Sequence, residues 1–172
     1  MKKTKKMALS GVFTAVCVVL LAIGTLIDTL DLTAAALASF VIIAALIEFG
    51  KGYALGIYAA ASVLAVVLLP NKTAGAIFLC FTGFYPILKV YLNKIKPKVV
   101  SYIVRMAVFN VFLTVLILFA TKVLGITDEF LTFGYLIYLI ANITFIVYDL
   151  VIEKLSVVYC VKIRKKLFGN RL

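Results

Sequence analysis

The stretch KKMALSGVFTAVCVVLLAIG, residues 5–24, decides the fold. After two lysines it is apolar for nearly its whole length, and a helix that crosses a bilayer needs about 20 such residues. Its first half carries Ala8, Gly11 and Ala15 at spacings that put them on one helical face. Ser10 and Thr14 stand beside them. A basic start followed by an apolar run is also the pattern of a signal peptide. The run here is longer than a signal core, and no small-x-small cleavage site precedes a polar region. The expectation is a retained first membrane span with one smooth strip near its lysine-rich end.

The rest of the chain repeats this composition. Of the 172 residues, 65% are hydrophobic, and mean hydropathy is +1.19. Soluble domains hold about 45–50% apolar residues. The predicted class is therefore all-α, a polytopic bundle of six transmembrane helices forming one membrane domain over residues 1–172. The spans fall at about 7–26, 33–49, 53–69, 74–92, 99–124 and 130–165, the last at least to Val151. Between them lie DTLDL, EFGKGY, LPNKT, NKIKPK and GITDEF, each with charges or the turn formers Gly, Pro and Asn. Pro86, one turn after Gly83 in FTGFYPILK, predicts a kink in the fourth span. There is no linker, soluble domain or internal repeat.

Charge sets the expected orientation. With the amino end inside, the inner segments collect Lys2, Lys3, Lys5, Lys6, Lys51, Lys94, Lys96, Lys98, Lys162, Arg164, Lys165, Lys166 and Arg171. The outer loops hold only Lys72 and Lys122 as cations, with Asp28, Asp31, Asp128 and Glu129. This asymmetry predicts both termini in the cytoplasm of a bacterial-type plasma membrane. The net charge of +11 does not point to nucleic acid, because the cations punctuate apolar runs instead of forming a basic surface.

Catalytic chemistry is poorly supplied. The chain has no His, and Cys17, Cys80 and Cys160 are far apart with no CxxC pair. No metal site, cofactor or disulfide is expected. Phosphate-binding, zinc-protease and nucleophile-elbow motifs are missing, so an enzyme, including one acting on lipids, is the least supported class.

The few polar residues inside the spans form two groups. Glu48, Lys89, Arg105, Asp149 and Glu153 all fall at one depth on the inner half. A charge in lipid must pair or face a cavity, so they read either as a structural ion-pair cluster, Arg105 with Asp149 or Glu48, or as a docking site for a partner. Toward the outer half, Thr82, Asn110, Tyr135, Tyr138 and Asn142 join Asp28, Asp31 and Asn71 as candidate lining of a substrate pocket open to the outside. The competing reading makes the tyrosines an aromatic belt and the asparagines helix bridges. Asn142 and Asp28 discriminate: facing a cavity they favour a transporter, and packed they favour a scaffold.

The smooth strip also has two readings. Lipid is as apolar as leucine, so membrane helices associate by close approach, which small residues permit. Ala8, Gly11 and Ala15 therefore contact either another helix of this chain or a separate membrane subunit. At this point the chain resembles the substrate-binding S component of energy-coupling factor vitamin transporters. The likeness rests on size, six helices, a basic amino terminus and a small-residue first helix, with Gly11-Val12-Phe13-Thr14-Ala15 as a GxxxA counterpart of that family's AxxxA motif. The resemblance implies an ATP-driven importer. The first helix would dock on a transmembrane T component, two cytoplasmic ATPase subunits would complete the complex, and a vitamin-like small molecule would bind between the outer parts of spans four to six and the first outer loop. The lack of His argues against nickel or cobalt as the solute. The alternative is a non-transporting scaffold of cell-envelope assembly, similar to the rod-shape-determining membrane subunit.

Overall fold

The computed structural model describes residues 3–26, 30–93, 95–122 and 134–163, excepting the side chains at 98, 119–122 and 162–163. Seven α-helices are described: α1 (Lys3–Thr25), α2 (Asp31–Phe49), α3 (Lys51–Leu68), α4 (Thr73–Ile77), α5 (Tyr85–Leu92), α6 (Lys98–Lys122) and α7 (Gly134–Val158). A π-helical turn, Phe78–Thr82, follows α4, and a second, Tyr159–Ile163, extends α7. Six segments are long and apolar enough to cross a membrane: Lys3–Thr25, Asp31–Phe49, Lys51–Leu68, Thr73–Leu92, Val99–Leu118 and Gly134–Val161. The chain is a helical bundle in which six segments have the length and apolarity of membrane spans, and no strand occurs among the described residues.

Two boundaries differ slightly from the sequence reading. The second span starts at Asp31 instead of about Thr33, which puts a carboxylate in the first turn of α2, where the helix dipole favours it. The reversal before α3 is made by Gly50 alone, at φ +89°, a region that L side chains rarely adopt. Gly52 already lies within α3. Lys72 donates to the carbonyls of Val66 (2.6 Å) and Leu69 (2.7 Å), satisfying acceptors at the end of α3.

The first three helices pack through small side chains. Ala35, Ala38, Ala45, Ala54, Ala61 and Ala65 are fully buried around Cys17, Leu21 and Ile42. Gly24 permits the closest approach, because a Cβ there would stand 2.3 Å from that of Ala34. The opposite face of α1 is open: Ala8, Gly11, Val12, Ala15, Val16 and Val19 are all exposed. The second core is aromatic and lies among α2, α5, α6 and α7. Phe81, Tyr85, Phe109 and Phe145 are buried there with Ile43 and Ile152. Phe109 and Phe145 stack with centroids 4.5 Å apart and planes 9° apart.

The fourth span is broken where Pro86 predicts a kink. Proline has no N–H for the carbonyl four residues back, here Thr82. The helix widens just before this point, Gly83 N–H bonding to Phe78 O (2.9 Å) in the five-residue pattern of a π turn. It restarts as α5, with Pro86 in the first turn. The freed Thr82 carbonyl finds a donor elsewhere: the Tyr148 hydroxyl of α7, at 3.1 Å.

Candidate binding cavity and charged cluster

Four elements part on the aromatic side of the bundle and leave a cavity of about 740 Å³. Leu32, Thr33 and Ala36 of α2 form one wall, and Ile77, Phe81 and Thr82 of the broken span form the next. Phe109, Phe112, Leu113 and Leu116 of α6 face α7 residues from Leu136 to Val151 across it. Its size lies within the usual range of ligand pockets, about 300–1,000 Å³. No charged side chain lines it. The polar lining consists of the hydroxyls of Thr33, Thr82, Thr144 and Tyr148. The Tyr148 hydroxyl also lies 2.9 Å from Ser39 Oγ, tying α7 to α2 at the cavity wall.

Of the described residues proposed from the sequence to bind substrate, Thr82 lines this cavity and the others do not. Asn110 and Asn142 pair across α6 and α7 by reciprocal amide hydrogen bonds of 3.0 and 3.1 Å. The hydroxyls of Tyr138 and Thr114 meet one turn further on, at 2.7 Å. Tyr135 is largely exposed at the start of α7. Asn71 Oδ1 accepts from the backbone N–H and the hydroxyl of Thr73, a turn-forming arrangement at the start of α4. Asp31 is buried at the start of α2, and Asp28 lies outside the described residues. Phe81, Phe109, Phe145 and Tyr148 were not singled out from the sequence. Pro86 held the one usable signal, since it frees a carbonyl that must find a donor.

The inner charged residues converge. Asp149 of α7 is buried and accepts from Arg105 Nη1 of α6 at 2.9 Å. Lys89 Nζ of α5 lies 2.6 Å from its other oxygen, which also accepts from the Tyr85 hydroxyl. Lys89 donates besides to the Asp149 carbonyl (2.8 Å) and lies 3.8 Å from the exposed Glu153. Two cations thus meet two carboxylates, a balance that suits a structural cluster in a medium where an unpaired charge is costly. Arg105 and Glu153 also border a second, more polar cavity of about 590 Å³ with Asn93, Ser101 and Tyr102. Glu48 is half-buried near the end of α2.

The strip on α1 faces outward. Ala8, Gly11 and Ala15 are exposed, and nothing stands within 4 Å of where a Gly11 Cβ would be. The face that packs against α2 and α3 carries Leu9, Phe13, Cys17 and Leu21 instead.

Among the described residues, no cluster of His, Cys, Asp and Glu is arranged to hold a metal ion. Comparison with known proteins returns no matching family, no matching curated protein and no matching solved structure.

Proposed function

We propose that this chain is the solute-binding membrane subunit of an ATP-driven importer of the energy-coupling factor type, with both termini in the cytoplasm. The observation that carries this reading is the cavity of about 740 Å³ between α2, the broken fourth span, α6 and α7. The cavity is half open, with Leu32, Leu136, Ile140, Val147 and Val151 exposed at its rim, so a guest of ligand size has a route into it. The exposed small-residue face of α1 supports the reading, since it leaves a surface on which a helix of another subunit can approach closely. By the positive-inside rule, the lysine-rich start of α1 favours a cytoplasmic position for that end of the face, the side on which ATPase subunits would act.

A scaffold of cell-envelope assembly is the second reading. It is favoured by Asn142, which is packed against Asn110 and lies outside the cavity. Affinity purification of the tagged chain from its host separates the two. Recovery of a T component and ATPases, lost on changing Gly11 and Ala15 to Leu in a protein that still folds, supports the importer. Recovery of envelope-assembly proteins instead overturns it.

A further inference from the structure

The cavity itself restricts what the importer would carry. Its lining has no charged side chain, and three of its four hydroxyls are already used as donors. Thr33 bonds to Leu30 O at 3.1 Å, Thr144 to Ile140 O at 2.9 Å, and Tyr148 to the Thr82 carbonyl at 3.1 Å. The Thr82 hydroxyl, 3.5 Å from Ile77 O, is the one weakly committed donor. These side chains therefore offer a guest mainly oxygen lone pairs. A carboxylate or phosphate placed among them would be desolvated with one hydroxyl donor at most and no counter-charge, which is strongly unfavourable. The carboxylate of Asp31, next in sequence to the lining residue Leu32, adds no attraction for an anion. The faces and edges of Phe81, Phe109, Phe112, Phe145 and Tyr148 supply flat apolar surface instead.

We propose that the cavity binds an uncharged, mainly apolar ligand with a conjugated or isoprenoid body, whose polar group is a hydrogen-bond donor such as a hydroxyl. This rests on the solute-binding reading above for its biological sense, but its test does not. The test uses the full chain in nanodiscs and two probes of one skeleton, retinol and retinoic acid, with empty nanodiscs as the partition control. The expected result is saturable retinol fluorescence enhancement at one site per chain, with retinoic acid at least tenfold weaker. Ile140→Trp, at a half-exposed lining position, should abolish the retinol site while leaving the melting temperature near that of the parent. If that variant fails to fold, Thr33→Trp on the facing wall replaces it. Equal or tighter binding of retinoic acid overturns the proposal. So does the absence of saturable retinol binding, or a tightly held phospholipid that retinol does not displace. Retinol binding by a chain that recovers no ATPases breaks the importer reading and leaves this one standing. Recovery of ATPases together with a charged solute does the reverse.

Discussion

The two halves of the bundle solve the same packing problem in opposite ways. In α1–α3, alanines and Gly24 bring backbones close, and van der Waals contact supplies the adhesion. In α5–α7, aromatic rings hold the helices apart and a few polar links fasten them: Asp149 with Lys89 and Arg105, Asn110 with Asn142, Tyr148 with Ser39 and Thr82. Close contact leaves no room, whereas spacing by rings leaves a cavity. The half with space is thus the half that can hold a guest, and the smooth half can present an outer face.

This contrast can be broken most severely at Asp149. Asp149→Asn removes the carboxylate that pairs Arg105 and leaves Lys89 with the exposed Glu153 at 3.8 Å, and should cost about 3–5 kcal/mol, seen as a large fall in melting temperature in a fixed detergent. A loss below about 1 kcal/mol would mean that the cluster does not fasten the aromatic half. On the small-residue side, Gly24→Ala forces a Cβ against Ala34 and should cost about 1–3 kcal/mol. Adding Ala34→Gly should restore most of it, and failure of that rescue would show that close approach is not the cause.

The asparagine bridge should weigh less. A double-mutant cycle with Asn110→Ala and Asn142→Ala should give a coupling of about 0.6 kcal/mol, at most about 1.7, as for other hydrogen bonds between membrane helices. Coupling near zero would remove it from the fastening set. The smallest effect on stability belongs to Gly11→Leu with Ala15→Leu, which should stay within about 0.5 kcal/mol because both sites are exposed. A larger loss on thermal unfolding of the isolated chain would place that face inside the fold.

The spans were legible in the sequence because apolar runs of bilayer length have one common solution. The kink was legible too, since Pro86 acts on its own backbone. The depth of Lys89, Arg105 and Asp149 could be counted from the span ends. The cavity residues were not legible in the same way. Asn110, Tyr138 and Asn142 stand out as polar, but polarity marks a need for partners and does not say whether a helix or a ligand meets it. Tyr148 and Phe81 look like ordinary membrane aromatics, and only their placement beside the broken span makes them cavity wall. Ala8, Gly11 and Ala15 announced a smooth face, yet the direction it faces depends on how all of α1 rotates against α2.

Asp149 also gives the aromatic half a mechanical character. It pins α5, α6 and α7 at one level near the lysine-rich end of the bundle, while the cavity extends toward the other end. Asn110 with Asn142 and Tyr138 with Thr114 fasten α6 to α7 again beyond that level. At 1.5 Å per residue, Tyr138 stands about 16 Å along α7 from Asp149, so a tilt of about 5° at the pin would shift it by about 1.4 Å, enough to part its 2.7 Å hydrogen bond. The two rods are riveted at two heights, and the gap between them keeps its width for as long as the upper rivets hold.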